Sequence, residues 1–217
     1  MRSLVLLSGG MDSAVCLYAA VAECGAGDVE AVFFDWRQRS LDEELSAARA
    51  ICEAAGAAAP VVVVLDFPYS GPLTEPGAEL PAGRTPAGIS ASGVAETFFP
   101  GRNLVMLAHA FGMAASSGAE RIYFGPNADD ASGYPDCRGE CLSGFAAACR
   151  AGTDTHVELA VPLIEMSKEE VVAAGDALGV PWEKTFSCYA PVGGKPCGEC
   201  DSCVLRQSAI DGRGRRD

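Results

Sequence analysis

The sequence predicts an α/β protein built on a doubly wound parallel sheet, extended at its C-terminus by a four-cysteine metal-binding segment. Three observations lead there. Strand-like and helix-like stretches alternate through the first 65 residues. The run Val61-Val62-Val63-Val64-Leu65 is apolar at every position, the pattern of a parallel strand covered on both faces. Four cysteines crowd into the sixteen residues from 188 to 203. Successive strand–helix–strand units close through right-handed crossovers, which bring helices onto the sheet.

The elements follow in order. Leu4-Val5-Leu6-Leu7 is a short apolar strand, and Asp12 to Cys24 reads as a helix. Val29 to Phe34 is a second strand, and Glu43 to Ala55 is an Ala-rich helix with its charges on one face. After the valine strand, residues 68–96 dissolve into Pro, Gly and Ser, a long loop or lid of the length that usually carries function. Helix resumes from Asn103 to Ser116 and is followed by a strand at Arg121 to Phe124. A Gly-, Asp- and Pro-rich loop covers Gly125 to Asp136, and helix returns from Gly139 to Ala151. Val157 to Val161 is a further strand-like run. Ser167 then opens a helix whose first turn holds Glu169 and Glu170, which suits the positive end of the helix dipole. The expected organisation is a sheet domain over residues 1–180 and a metal-binding segment over 181–217.

Composition narrows the function. The chain of 217 residues carries 16 Lys+Arg against 29 Asp+Glu, a formal charge of −13, and is 49% hydrophobic. That apolar fraction supports a full core and excludes disorder as the main state. The acidic balance disfavours nucleic acid and anionic lipid as partners, although Arg206, Arg213, Arg215 and Arg216 form a local basic patch. The longest apolar stretch, Ala54 to Leu65, is broken by Gly56 and Pro60, so no membrane span is expected. The N-terminal apolar run is only four residues long and is no signal peptide, which points to the cytoplasm. Cys16, Cys24 and Cys52 lie in helix-like, apolar surroundings and read as small buried hydrophobes.

Two segments carry chemistry. The first strand runs into Ser8-Gly9-Gly10-Met11-Asp12-Ser13 and then a helix, placing a glycine turn at the strand's C-terminal end, where open α/β sheets bind ligands. Glycines let the backbone approach an anion, and free N–H groups at the helix start point at it. No lysine follows, so this is not the GK[ST] loop of mononucleotide enzymes. An ordinary turn with Asp12 or Ser13 capping the helix is the plainer reading. The second segment is Cys188, Cys197, Cys200 and Cys203, spaced C-x8-C-x2-C-x2-C. Four thiolates close a tetrahedral, structural shell around Zn2+, and an iron–sulfur cluster is the competing occupant.

The hexapeptide resembles the PP-loop of the ATP pyrophosphatase superfamily, and a second string, Ser132-Gly133-Tyr134-Pro135-Asp136-Cys137-Arg138, narrows the resemblance. With Gln38-Arg39, Phe99-Pro100-Gly101-Arg102-Asn103, Pro162-Leu163 with Lys168, Ser187-Cys188-Tyr189 and Cys197-Gly198-Glu199-Cys200-Asp201-Ser202-Cys203, the chain is similar along nearly its whole length to the 7-cyano-7-deazaguanine synthase (QueC) family. The resemblance implies a Rossmann-like sheet and an AMP-forming ligase. ATP with Mg2+ would adenylate 7-carboxy-7-deazaguanine, ammonia would displace AMP to give an amide, and a second ATP would carry the amide to the nitrile. It also implies a cytosolic homodimer with one structural Zn2+ per subunit.

Carried over by position, Ser8, Gly9, Gly10 and Ser13 would hold pyrophosphate, with Asp12 as a magnesium or helix-cap residue. Gln38, Arg39, Arg102 and Asn103 would hold nucleotide, and Lys168 would neutralise phosphate charge. Asp130, Ser132, Gly133, Tyr134, Asp136 and Arg138 would line the deazaguanine pocket. Arg138 and Lys168 read alternatively as exposed helix-start charges, and Asn103 as a helix cap. His109 reads as a packing residue and His156 as exposed.

Two departures stand out. The family's aromatic-x-Gln-Arg-His is here Trp36-Arg37-Gln38-Arg39-Ser40, and its Glu-Thr-Asp-aromatic is Ala128-Asp129-Asp130-Ala131. The adenylating loop is intact while the acceptor side is altered, unless Asp129 replaces the missing Glu. The alternative is therefore a paralogue that stops at the amide or passes the acyl group to another amine, such as one on a protein in a defence system. A tRNA-acting PP-loop enzyme and a zinc-stapled binding module fit the charge and the intact loop less well.

Overall fold

A computed structural model describes residues 1–91 and 93–212. Its five parallel strands are β1 (Ser3–Leu6), β2 (Val29–Asp35), β3 (Val61–Val64), β4 (Arg121–Tyr123) and β5 (Glu158–Ala160). Around them lie α1 (Met11–Cys24), α2 (Leu41–Ala54), α3 (Pro86–Ser90), α4 (Arg102–Ser117), α5 (Ala128–Gly133), α6 (Gly139–Thr153), α7 (Lys168–Leu178) and α8 (Asp201–Asp211). The strand order is β3-β2-β1-β4-β5. The chain builds outward from β1 through β2 to β3, then returns to the other side of β1 for β4 and β5. Between β1 and β4 the direction of winding reverses, and a crevice opens at their C-terminal ends.

The period of two along each strand feeds two cores. Val5, Leu7, Ala31, Phe33 and Tyr123 face α1, α2, α7 and α8, where Val15, Ile51, Val171 and Ala209 close the layer. Leu4, Leu6, Val32, Phe34 and Ile122 face α4 and α6, meeting Leu107, Phe111 and Leu142. Each fully buried side chain of this size contributes about 1.5–3 kcal/mol. Residues on both sides of position 180 share the first core, since Val180, Trp182 and Ala209 pack in it with α1.

The valine strand departs from expectation. β3 lies at the sheet edge, pairs only with β2, and leaves Val61, Val62 and Val64 exposed by 44%, 40% and 54%. Its apolar run reads as a doubly covered strand, but the chain after it enters a loop instead of a helix that would cover it. Three helices depart from the sequence expectation: α3 inside the 68–96 stretch, α5 inside the Gly125–Asp136 loop, and α8, whose N-cap is Cys200. His109 is exposed on one side, with Nδ1 against the Val105 carbonyl at 3.0 Å, while its ring packs edge-on against Phe34 at 6.3 Å. His156 is exposed as expected.

The segment at 68–96 is tied down along its length. The Arg39 guanidinium donates to the carbonyls of Pro72 (3.2 Å) and Ala78 (2.9 Å). Further on, Ala82 forms an antiparallel bridge with Cys200, and the Gly83 N–H donates to the Glu199 carbonyl at 3.1 Å. Arg84 grips the Asp201 carboxylate with two donors, Nε to Oδ1 at 2.9 Å and a second nitrogen to Oδ2. The Ala95 N–H then reaches the Gly133 carbonyl at 2.9 Å.

Of the C-terminal arginines, Arg206 points inward. Arg206 donates to the Trp182 carbonyl at 2.7 Å and to Thr185 Oγ1 at 2.6 Å, and burial lowers its pKa. Arg213, Arg215 and Arg216 lie outside the described residues. Asp201 is 6% exposed, and removing its partner leaves a buried carboxylate poorly matched. Arg84→Ala is therefore expected to lower stability by about 1–3 kcal/mol. Urea unfolding measures that loss, and limited proteolysis should show new cleavage between 68 and 96.

Candidate active site

The loop after β1 sits at the crevice and is shaped by a left-handed glycine. Gly9 has φ +83°, and a Cβ there would meet the Glu44 carbonyl oxygen at 2.4 Å, so only glycine fits between β1 and α2. Ser8 Oγ accepts the Gly10 N–H at 3.3 Å, and Ser13 Oγ accepts the Ser8 N–H at 3.2 Å while donating to the Gly10 carbonyl at 3.1 Å. Gly10 is the N-cap of α1, and no side chain caps it. Asp12 and Ser13 thus do not cap the helix, and its N-terminus, without a side-chain acceptor, could take an anion.

Asp12 is occupied otherwise. Lys168 Nζ donates to both of its oxygens, at 2.9 and 2.8 Å, and Asn127 Nδ2 donates to Oδ1 at 3.2 Å. Asn127 is fully buried and caps α5: its Oδ1 accepts the N–H groups of Asp129 and Asp130, and Asp130 Oδ2 returns the bond to the Asn127 N–H at 3.1 Å. Asp129 Oδ2 accepts the Lys168 N–H at 3.1 Å. Burial by itself would lower the Lys168 pKa, but the charges of Asp12 and Asp130 outweigh it and the ammonium is held charged. Burial pushes Asp130 up to about 6, with the Lys168 charge opposing. Lys168 is therefore no exposed helix-start charge, and Asp129 is spent on the backbone of α7 instead of facing a substrate.

A cavity of about 270 Å³ joins this loop to the second string. Ser8, Asp12 and Ser13 line one part, Trp36, Gln38, Glu44 and Arg102 another, and Asn103, Asp130, Tyr134, Cys137 and Tyr189 the rest. Arg102 stacks over the Trp36 ring at 4.6 Å. Asn103 is buried, not a cap, with Oδ1 accepting from Arg102 Nε at 3.3 Å and Nδ2 reaching Cys137 Sγ at 3.5 Å. The Tyr134 hydroxyl pairs with Thr97 at 2.7 Å and lies 3.4 Å from the Tyr189 hydroxyl. Asp136 lies behind Cys137 at 4% exposure, and its Oδ2 is a buried polar atom without a hydrogen-bond partner.

Other foreseen residues face elsewhere. Gln38 lines the cavity but is engaged by its surroundings: Oε1 accepts the Trp36 N–H at 2.9 Å, and Nε2 donates to the Phe34 carbonyl and to Glu44. Arg39 serves the 68–96 segment, not the cavity. Ser132 and Arg138 are exposed, bonding the carbonyls of Asp129 and Ala131, while Gly133 anchors Ala95. Asn127, which braces Asp12 beside the cavity, and Glu44, which lines it, escaped the sequence reading. Asn127 had a signal, since Asn-x-x-Asp after a strand is a capping pattern. Glu44 had none, because it hides in Asp42-Glu43-Glu44, which reads as ordinary first-turn charge.

The four cysteines come together. The Sγ atoms of Cys188, Cys197, Cys200 and Cys203 all lie within 4.8 Å of one another. Backbone N–H groups of Ala190 and Cys197 point at Cys188 Sγ (3.4 and 3.3 Å), and that of Cys200 at Cys197 Sγ (3.4 Å). Thiolates accept such bonds, and four sulfurs this close fit a tetrahedral metal shell. The cluster touches the site through the chain between: Phe186 donates its N–H to the Gly9 carbonyl at 2.8 Å.

Fold and site together define an α/β protein of the nucleotide-binding type, with a glycine loop at the switch point of a parallel sheet and a C-terminal four-cysteine cluster that could hold a metal ion. The chain belongs to the QueC family: the model of the queuosine biosynthesis protein QueC matches residues 2–213. It is 40% identical over 224 residues to the 7-cyano-7-deazaguanine synthase of Trichodesmium erythraeum, covering 100% of this chain and 99% of the relative. Against the 7-cyano-7-deazaguanine synthase of Anaeromyxobacter dehalogenans the identity is 42% over 223 residues, covering 100% and 94%. The NMN synthetase of Francisella tularensis shares the fold, with a TM-score of 0.51 at 15% identity over 97% of this chain and 77% of that one.

Two outcomes are expected from this geometry. Gly9→Ala should weaken ATP binding by about tenfold or more while keeping the far-UV spectrum, because the left-handed turn is lost and the loop must move off Glu44. Isothermal titration measures it. Cys200→Ser should reduce bound metal well below the about one ion per chain expected of the wild type and lower the melting temperature, read by elemental mass spectrometry and calorimetry.

Proposed function

We propose that this chain activates the carboxylate of 7-carboxy-7-deazaguanine with ATP, exchanges the resulting adenylate for an amide with ammonia, and uses a second ATP to form the nitrile. One observation carries the reading: Ser8, Gly10, Asp12 and Ser13 of the glycine loop line the same cavity as Asp130, Tyr134 and Cys137 of the second string. An anion-holding loop beside a pocket for a flat base is what adenylation of a deazaguanine carboxylate requires. The names borne by the relatives support the same reaction.

The roles follow from the geometry. Ser8, Gly9, Gly10 and Ser13 face the departing pyrophosphate, whose charge the loop's N–H and O–H donors stabilise. Lys168, locked onto Asp12, brings a fixed positive charge to the same end. Arg102 and Asn103 sit where the nucleotide or substrate would lie. Tyr134 offers a ring for stacking; Asp136 lies outside the cavity lining, next to Cys137, and its unpartnered Oδ2 is assigned to a guanine-type N–H edge that would enter as Cys137 yields. Ser132 and Arg138 are exposed and assigned to the outer rim.

Asp12 does not fit a resident magnesium ligand, since Lys168 and Asn127 take its oxygens; Mg2+ is assigned to the ATP it accompanies. Cys188, Cys197, Cys200 and Cys203 would hold Zn2+ as a closed, structural cross-link. Their free thiols belong in a reducing compartment, which favours the cytoplasm. The exposed valines of β3 support a homodimer, and the charge of −13 disfavours nucleic acid. No feature of the site favours transfer to a protein amine over ammonia.

Mass spectrometry of the products after incubation with ATP, magnesium, ammonium and 7-carboxy-7-deazaguanine tests the reading. Nitrile with AMP and pyrophosphate is expected, and accumulation of the amide alone would move the assignment to the paralogue. Asp136→Asn should lower kcat/KM for the carboxylate by about 10- to 100-fold while leaving metal content unchanged. An unaffected kcat/KM would show that Asp136 does not reach the substrate.

A further inference from the structure

Three carboxylates line the cavity: Asp12, Asp130 and Glu44. Lys168 answers the first two, bonding Asp12 directly and acting on Asp130 through its charge. Glu44 lies apart from that lysine. Ser40 Oγ donates to its Oε1 at 2.7 Å and Gln38 Nε2 to its Oε2 at 3.0 Å. Both donors are neutral, one on each oxygen, and they fix the carboxylate while leaving further lone pairs open. Arg102, whose charge also reaches it, is stacked on Trp36. The first turn of α2 abuts the phosphate loop, as the close approach of the Glu44 carbonyl to Gly9 shows.

A carboxylate aimed into a cavity beside an anion-holding loop repels phosphate; Arg102 answers its charge from a distance without bonding it, which leaves its open lone pairs to a cation arriving with the reactants. The adenylation reading supplies one, because its second reactant at neutral pH is ammonium. We propose that Glu44 is a catalytic residue of the amide-forming step, binding the ammonium ion and accepting a proton from it. The inference rests on the adenylation reading above.

The step balances. Ammonium gives one proton to the Glu44 carboxylate, and the freed lone pair attacks the acyl carbon of the adenylate. The C–N bond forms, the C–O bond to the α-phosphate breaks, and AMP leaves with that electron pair. A second proton passes from nitrogen to water, and Glu44 returns its own to solvent. Ser40, which stands where the family carries histidine, becomes a positioning residue: its hydroxyl orients Oε1. A divalent metal would want several further oxygen ligands here, whereas the neighbours of Glu44 are donors.

Glu44→Gln keeps the shape and removes the charge. The tests are carboxylate-dependent ATP–pyrophosphate exchange without ammonium, amide formation against ammonium concentration at fixed pH, and hydroxamate formation with hydroxylamine, a nucleophile already neutral at pH 7. The expected result is a loss of about tenfold or more in kcat/KM for ammonium, with exchange and hydroxamate formation within about twofold of wild type. Ser40→Ala, which leaves the charge in place, should raise the ammonium KM by about two- to fivefold without changing exchange. It supplies the answer if Glu44→Gln fails to fold.

An ammonium dependence unchanged in both variants overturns the proposal. So does an equal loss of exchange or a raised KM for ATP, which would assign Glu44 to the nucleotide or its magnesium. Wild-type protein without any exchange would overturn the adenylation reading itself, and this inference with it.

Discussion

The half-buried ion pair between Lys168 and Asp12 is the contact on which the site depends, because it joins segments that the sheet alone leaves independent. Asp12 belongs to the first turn of α1, Lys168 opens α7, and Asn127 brings in the end of β4. Side-chain exposures of 13% and 25% place the pair where losing either partner strands the other, at a cost of about 3–5 kcal/mol for a fully buried case. The same pair sets the local electrostatics. Lys168 keeps its charge against burial only because Asp12 and Asp130 surround it.

Around that pair the cavity divides its charges. Neutral donors of the glycine loop and the helix start lie at one end, where phosphate is expected. Glu44, held by neutral donors and without a lysine, supplies the opposite sign nearby. Asp136, with its unpartnered oxygen, waits behind the wall formed by Cys137. A buried acceptor left without a donor is expensive, so its retention points to a donor that arrives with a ligand. Loop, carboxylates and aromatic rings thereby have separate tasks within one small space.

The cysteine cluster extends this organisation outward. Cys200 begins α8, bridges to Ala82, and stands beside Asp201, which holds Arg84. Phe186 links the same segment to the phosphate loop through Gly9. A metal here would brace both the long 68–96 connection and the loop after β1, which is a wider role than stapling a terminal tail. The segment is also continuous with the main core through Trp182 and Ala209.

The alternation of apolar runs, the SGGMDS turn and the cysteine spacing determined the fold class, the position of the glycine loop and the four cysteines that could hold a metal, because each is a local signal set by backbone periodicity or short spacing. Where local pattern is ambiguous, the sequence misled: four valines in a row read the same at the centre of a sheet as at its edge, and only the strand order placed β3 outside. Gln38 and Arg39 likewise carry polar groups suited to a ligand, but backbone carbonyls engage them first. Glu44 was invisible within an acidic helix turn. The pairing of Asp12 with Lys168 spans 156 positions, and that of Arg84 with Asp201 spans 117. Tertiary structure alone decided such contacts, because a charge's partner is set by which segments the sheet brings together, and no spacing along the chain encodes it.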